Sequence, residues 1–288
     1  MAVAEALSPT APGRFGAVGR VRRSVRGLDR LSILAFGAVT VIALAAPAIA
    51  PHDPLSPVGA AFVPPGHGGF ILGTDSVGRD VLSRILFGVR TTWIAGMVVI
   101  ASGVVIGSSI GLLAGTGPGW LDSVLMRLTD LFLALPAPLL AIAVVSALGP
   151  SLHNTVVALA AVWWPFYARV VRGEVRSLSA RPHLEAARLA GASAARRALR
   201  HLLPGTFPAV LVTASLDVSN VILTFAALSF LGLGPPQPAP ELGAMAARNL
   251  SFVLQQWWVS VFASTTIALL ALVANLAGDA SRALLPER

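Results

Sequence analysis

Charged residues along the chain are gathered between long uncharged runs, a pattern that fits neither an amphipathic surface helix nor a half-exposed strand. A helix that crosses a bilayer needs about 20 apolar residues. Runs of that length occupy residues 31–50, 91–115, 131–168, 207–230 and 256–278, the fourth with a single charge at Asp217. The run 131–168 is too long for one crossing, and Gly149-Pro150-Ser151 divides it into two helices joined by a tight turn. The pattern therefore predicts an all-α polytopic membrane protein with six transmembrane helices. It divides into a basic N-terminal arm (1–30), a first transmembrane helix (31–50), a loop (51–90), a core of five transmembrane helices (91–278) with a polar insert at 173–205, and a short tail (279–288).

Composition agrees with this division. Hydrophobic residues make up 55% of the 288 positions and charged residues 12%, with a mean hydropathy of +0.77. That is half the charge density typical of a soluble domain, about 25%. The 21 basic residues are all arginine and give a net charge of +8. They cluster between apolar blocks, not along an aromatic-bearing polar domain, so nucleic acid is not expected as a partner. Arginine near span ends marks the cytoplasmic side. The arm (Arg14, Arg20, Arg22, Arg23, Arg26, Arg30) and the segment between the fourth and fifth spans (Arg169, Arg172, Arg176, Arg181, Arg188, Arg196, Arg197, Arg200) are separated by an even number of crossings. Both termini and the 173–205 insert are then cytoplasmic, and the segments 51–90 and 231–255 external. Residues 1–27 show no apolar periodicity and read as an unstructured basic arm drawn to anionic lipid. Ala48-Ile49-Ala50 has the look of a signal-peptide cleavage site, but the apolar run before it exceeds the usual signal core and Pro51 follows.

Few residues suggest chemistry. There is no cysteine, and the five histidines (52, 67, 153, 183, 201) lack metal-ligand spacing, so no metal site is expected. Gly107-Ser108-Ser109-Ile110-Gly111 matches a nucleophile-elbow pattern, which raises an intramembrane serine hydrolase as a rival reading; that motif works only at a strand-to-helix turn, whereas this one lies inside a span. Gly103, Gly107, Gly111 and Gly115 recur every fourth residue and predict a helix-packing face open to backbone contact by another helix, in a partner chain or along a translocation path. Ionisable groups at membrane depth are costly and tend to face a cavity or a partner. Asp130 reads equally as a cap-like residue beside Arg127 and as a lining of a translocation path. Asp217, deeper in its span beside Ser219 and Asn220, reads as path lining together with Asn220. Pro136, Pro138 and Pro165 predict kinks.

The insert carries its own pattern. Ser179 can cap a short helix with Pro182 in its first turn, Glu185 near its positive end, and Ala186, Ala187, Leu189 and Ala190 extending it. Gly191 stops or bends that helix. Ser193 then caps a second one, which Leu203-Pro204 ends before the fifth span. The product is a rigid cytoplasmic projection.

Glu185-Ala186-Ala187, Gly191 and Leu203-Pro204, with this spacing, resemble the EAA loop of ABC importer permeases. His201 points to the dipeptide/oligopeptide/nickel branch. Three further segments are similar to the C-type subunit of that branch: Leu72-Gly73-Thr74-Asp75-Ser76-Val77-Gly78-Arg79-Asp80, Ala227-Leu228-Ser229-Phe230-Leu231-Gly232-Leu233-Gly234, and Asn275-Leu276-Ala277-Gly278-Asp279. Phe225 and Leu242 depart from it, standing where an acid and an aromatic are frequent. The resemblance implies a type I importer permease of a bacterial inner membrane, with Glu185, Ala186, Ala187, Gly191, Leu203 and Pro204 coupling it to an ATPase. It further implies a homologous permease enclosing one path with this chain, two ATPase subunits, and an external solute-binding protein delivering dipeptides or oligopeptides, with nickel chelates or glutathione as alternatives. No cofactor is expected on this chain. ATP and Mg belong to the ATPase subunits, because the chain has no phosphate-binding G-x-x-x-x-G-K-[ST] loop and no lysine with which to build one.

Overall fold

The computed structural model describes residues 14–284, which form ten α-helices and, among the described residues, no strand. They are α1 (Arg14–Ile49), α2 (Val81–Thr116), α3 (Gly119–Leu133), α4 (Ala137–Leu148), α5 (Leu152–Ser179), α6 (Pro182–Leu189), α7 (Ala194–Arg197), α8 (Leu203–Phe230), α9 (Leu242–Arg248) and α10 (Trp257–Leu284). The segments Gly27–Ile49, Val81–Thr116, Ala194–Phe230 and Trp257–Ala283 are long and apolar enough to cross a membrane, and α3 with α4, bent by 86°, passes the same criterion as a pair.

Several boundaries differ from the sequence pattern, each for a physical reason. The arm expected to lack structure is helical from Arg14 onward, because no proline follows Pro12 until Pro47 and the intervening residues include many good helix formers; residues 1–13 lie outside the described part. Helix α2 starts ten residues before position 91. Asp80 caps it, its carboxylate accepting from the Ser83 N–H (3.0 Å) and hydroxyl (2.6 Å), while the charge of Arg84 is matched outside the helix. Helix α3 begins at Gly119, so Asp130 stands near its end and not near the start of a span. Gly278 does not end α10, which runs on to Leu284. The turn at Gly149-Pro150-Ser151 is where the pattern put it. Gly149 has φ +88°, Ser151 caps α5 through the Asn154 N–H, and the Asn154 amide closes the turn by donating to the Leu148 and Gly149 carbonyls.

Of the three prolines expected to kink spans, Pro136 and Pro138 lie at the sharp bend between α3 and α4, whereas Pro165 is buried within an unbroken α5.

Contacts fix the direction of each helix. Phe36 of α1 packs on Trp93 (ring centroids 4.8 Å apart), the Trp93 indole donates to the Thr40 hydroxyl, and the His52 N–H reaches Ser83, so α1 and α2 are antiparallel. Helices α2 and α5 run parallel: Gly103 lies on Tyr167, Gly111 on Ala168 and Val171, and Gly115 on Val175. Helix α8 is antiparallel to α5, with Thr155 bonded to the Leu233 carbonyl at one end and Leu178 over Gly205 at the other. Because α2 and α5 point the same way, the chain between them must return across the bundle. The bent pair does so, with Asp122 beside Arg172 and Arg176, Phe132 against Trp164, and α4 folding back onto α5.

The glycine stripe is a helix-packing face, as its spacing predicts, and the helix that approaches it is α5 of the same chain. A Cβ on Gly107 would stand 2.5 Å from the Trp164 carbonyl oxygen, and one on Gly111 2.5 Å from that of Ala168. Those are backbone atoms and cannot swing aside. We therefore expect Gly107→Leu or Gly111→Leu to destabilise the chain itself by at least the 1–3 kcal/mol usual for overpacking, about that much or more here. The check is thermal unfolding of the detergent-solubilised chain produced without partners. Gly37→Leu, whose side chain would meet nothing within 4 Å, should unfold like the wild type; unchanged unfolding of Gly107→Leu would show that the two backbones need not touch.

Candidate functional site: a helical projection, a buried charged clasp and a polar face on α8

The projection is built from the end of α5, α6, α7 and the start of α8. Ser179 does not cap α6. It sits in the last turn of α5, its hydroxyl donating to the Val175 carbonyl. Leu184 and Leu202 are buried among Tyr167, Val171, Val175, Leu178 and Val210, which ties the projection to the C-terminal half of α5. Outward it presents Glu185 and Ala186, with Ala187 half-buried and Leu189 84% exposed, far more than a leucine left to water alone would favour. The Ala192 N–H reaches the Ala187 carbonyl (3.1 Å) across Gly191, a left-handed helix stop in which Gly191 has φ +81°. Nothing lies within 4 Å of where a Gly191 side chain would start, so only the backbone restricts this position. Ser193 caps α7, as its position suggested, and Arg197 donates to the Ala192 carbonyl (2.6 Å).

Leu203-Pro204 does not end this helix. The turn Ala198–Leu202 is a π-helix, and α8 follows without a break, so Ala194–Phe230 is one continuous helix. Pro204 falls at the start of α8, and the adjoining wide turn marks where the regular ladder is interrupted.

Asp130 and Asp217 are not brought together. Asp130 is exposed and paired with Arg169 of α5, not with Arg127. Asp217 stands halfway along α8 and accepts hydrogen bonds from the Trp163 indole, the Tyr167 hydroxyl (3.2 Å) and the Asn220 amide (3.2 Å). Thr213, Asp217, Asn220 and Thr224 recur at i, i+4, i+7 and i+11, which puts them on one face of α8, and all four are at least partly exposed. That spacing was available in the sequence and identifies Thr213 and Thr224, which the search for charged residues passed over. Ser109 has a plain role inside α2, donating to the Val105 carbonyl one turn back (2.7 Å). Phe225 is fully buried in the main core.

At the opposite end of the bundle residues 51–80 are fastened to the starts of α2 and α10. Asp75 accepts from the Val77 and Arg79 N–H groups and from the Arg79 side chain (2.8 Å), with Arg84 at 3.4 Å. All three charged groups are at least nine-tenths buried. Arg84 also donates to the Pro54 carbonyl (2.7 Å), and the Trp258 indole reaches the Thr74 carbonyl (3.1 Å). Gly78, φ +87°, lets the backbone pass where a Cβ would be 2.1 Å from the Gly59 oxygen. Glu241 caps α9 through the Gly243 and Ala244 N–H groups; its burial raises the carboxyl above the usual range, against those two bonds and the nearby Arg248, which pull it down.

The chain is thus a bundle of long apolar helices with an exposed projection at one end and a polar face on α8. Residues 103–288 match the family described as binding-protein-dependent transport system inner membrane component, and the chain belongs to that family. It is 41% identical over 243 residues to the probable D,D-dipeptide transport system permease protein DdpC of Escherichia coli, covering 84% of this chain and 81% of that one. Identity is 40% over 250 residues to the di/tripeptide permease DppC of Pseudomonas aeruginosa (85% and 82%), and 43% over 211 residues to the glutathione permease GsiD of Pectobacterium atrosepticum (73% and 70%). An inward-facing structure of the MetNI methionine ABC transporter contains a chain of the same fold, with TM-score 0.56 and 22% identity over 70% of this chain and 97% of that one. The chain is thus a multi-pass permease component of a bacterial inner-membrane ABC transport system.

The clasp generates a direct expectation. Asp75→Asn leaves Arg79 and Arg84 buried without their counter-charge, a change that costs about 3–5 kcal/mol when one partner of a buried pair is removed. Protease protection of the outer segments in right-side-out vesicles should fall, while Asp53→Asn, at an exposed position, should leave it unchanged.

Proposed function

We propose that the chain is one half of the translocation path of an ATP-driven importer for short peptides, pairing with a homologous permease and moved by two ATPase subunits. The observation that carries the coupling role is the projection itself: two helices set by Gly191, anchored by Leu184 and Leu202, and presenting Glu185 and Leu189 outward. A stiff element tied to α5 and continuous with α8 transmits displacement, whereas a soft loop absorbs it. ATP and Mg are held by the ATPase subunits in this reading, the solute-binding protein works on the outer side, and the chain itself performs no covalent chemistry. Peptide cargo is supported by the di/tripeptide and D,D-dipeptide permeases among its relatives. The glutathione permease favours a second reading within the same class, a γ-linked tripeptide.

In this reading there are six crossings: α1, α2, the bent α3–α4 pair, α5, α8 and α10. Helix α5 is not among the segments long and apolar enough to span by themselves, and its pairing with α2, α3 and α8 supports a place inside the bundle. With the arginine distribution, this puts both termini and the projection in the cytoplasm. Cysteine introduced at Gln237 should react with an impermeant maleimide from outside intact cells and cysteine at Ala195 should not; both positions are exposed, and the chain has no native cysteine to confuse the result. Reversed labelling overturns the topology.

Gly191→Val forces a branched side chain into φ +81°, at a cost on the order of 1–2 kcal/mol, and so shifts the projection. Glu185→Arg places positive charge at the start of α6, the end favourable to anions. We expect each variant to insert normally and to lose uptake, with ATP hydrolysis by the complex lost or no longer dependent on substrate. Gly191→Asn, a residue that enters the left-handed region more readily, should retain most uptake. Wild-type uptake by both Gly191→Val and Glu185→Arg refutes the coupling role.

A further inference from the structure

Three acids lie within or beside the spanning helices near α5, and their surroundings differ. Asp122 is held by Arg172 and Arg176, and Asp130 by Arg169. Asp217 forms no ion pair among the described residues. It meets instead three neutral donors: the Trp163 indole and Tyr167 hydroxyl on one oxygen, and the Asn220 amide on the other. These donors satisfy the carboxylate oxygens without bringing a cation beside them. Their placement is firm, because Tyr167 is fully buried and lies against Gly103 and Gly107 in the closest helix contact of the fold.

The second observation is the face on which Asp217 lies. Thr213 and Thr224 donate their hydroxyls back to the Ala209 and Asn220 carbonyls, so they add polarity but no charge. Asp217 is therefore the only charged member of a polar stripe that runs along the middle of a spanning helix, with Asn220 exposed beside it. An ionised group at such a depth is expensive against lipid tails, so the stripe belongs against water or a cargo rather than against hydrocarbon.

We infer that Asp217 is a station for cationic groups in the path, and that it favours passage of peptides carrying an ammonium or guanidinium side chain over those carrying an extra carboxylate. This deepens the reading of the chain as a peptide permease and rests on it. The station supplies attraction without a covalent step: the cargo's cation provides the counter-charge that no arginine among the described residues supplies, and the rigid indole and phenol keep the carboxylate from turning to find another.

The test uses the whole complex, purified with its partner permease, ATPase and binding-protein components and reconstituted in proteoliposomes. Uptake of Ala-Lys-Ala and of Ala-Glu-Ala is measured at limiting concentration, and the ratio of the two is the readout, because selection by the unchanged binding protein cancels between variants. Asp217→Asn keeps an acceptor for Trp163 and Tyr167 but removes the charge. Its Lys-to-Glu uptake ratio should fall about tenfold, the scale of one lost charge-assisted contact, and Asp217→Glu should restore most of it. Should Asp217→Asn fail to assemble, Asn220→Ala, which removes one donor to the carboxylate, should lower the ratio in smaller measure. An unchanged ratio in the assembled variants overturns the inference, including the case in which both rates fall equally, as a purely structural role for Asp217 requires. Wild-type complex that imports neither peptide overturns the cargo reading itself, a result distinguishable from the first.

Discussion

The arrangement depends on the approach of α2 to α5 at backbone distance. Four glycines one turn apart remove every side chain from one face of α2, and the parallel α5 fills the space with Trp164, Tyr167, Ala168, Val171 and Val175. In a bilayer the lipid tails compete with side chains for apolar contact, so association rests on close packing more than on escape from water. Parallel alignment has a topological consequence as well. It obliges α3 and α4 to carry the chain back, and the bend between them lets a 15-residue and a 12-residue helix serve where a straight helix would not follow the same surface.

The two ends of the bundle are held by different physics. At one end a buried aspartate and two arginines fasten residues 51–80 to the start of α2, with positive-φ glycines permitting the tight backbone. Such a cluster stabilises mainly against loss of one partner, and it fixes geometry because every donor has one acceptable position. At the end that carries α6 and α7 the anchors are apolar, Leu184 and Leu202, while Glu185 and Arg196 are exposed. In the proposed reading these two ends would receive cargo and mechanical work respectively.

How much of this was legible in the sequence depended on the range of the interactions. Local signals read correctly: the Gly149 turn, the Ser193 cap, the stop at Gly191 and the interface nature of the glycine face. The helix that meets that face was not legible, because spacing alone tells that a helix is approached, and not by which one. Likewise α3 escaped detection because Asp122, Arg127 and Asp130 broke the uncharged run, and the residues that match Asp122 and Asp130 lie 39 to 54 positions away on α5. The start of α2 was hidden in the same way, by an Arg84 whose contacts reach back to Asp75 and Pro54 and forward to Pro238. Pro204 looked like a terminator, and became the first turn of a helix that the preceding π-turn hands on without a break.

That last difference links the two regions of the candidate site. Had Pro204 ended the helix, the projection would hang from the membrane by a flexible joint, and its motion would be lost there. Instead Ala194–Phe230 is continuous, so α7 and the polar face around Asp217 are parts of one rod. A rotation imposed on the rod near Ala194 is a rotation of Thr213, Asp217, Asn220 and Thr224, reduced only by the compliance of the single π-turn at 198–202. Trp163 and Tyr167 join this rod to α5 through their hydrogen bonds to Asp217, and Leu184 and Leu202 join the projection to the same helix. In the proposed reading a displacement of the projection therefore reaches the carboxylate by two routes, along the rod and through α5.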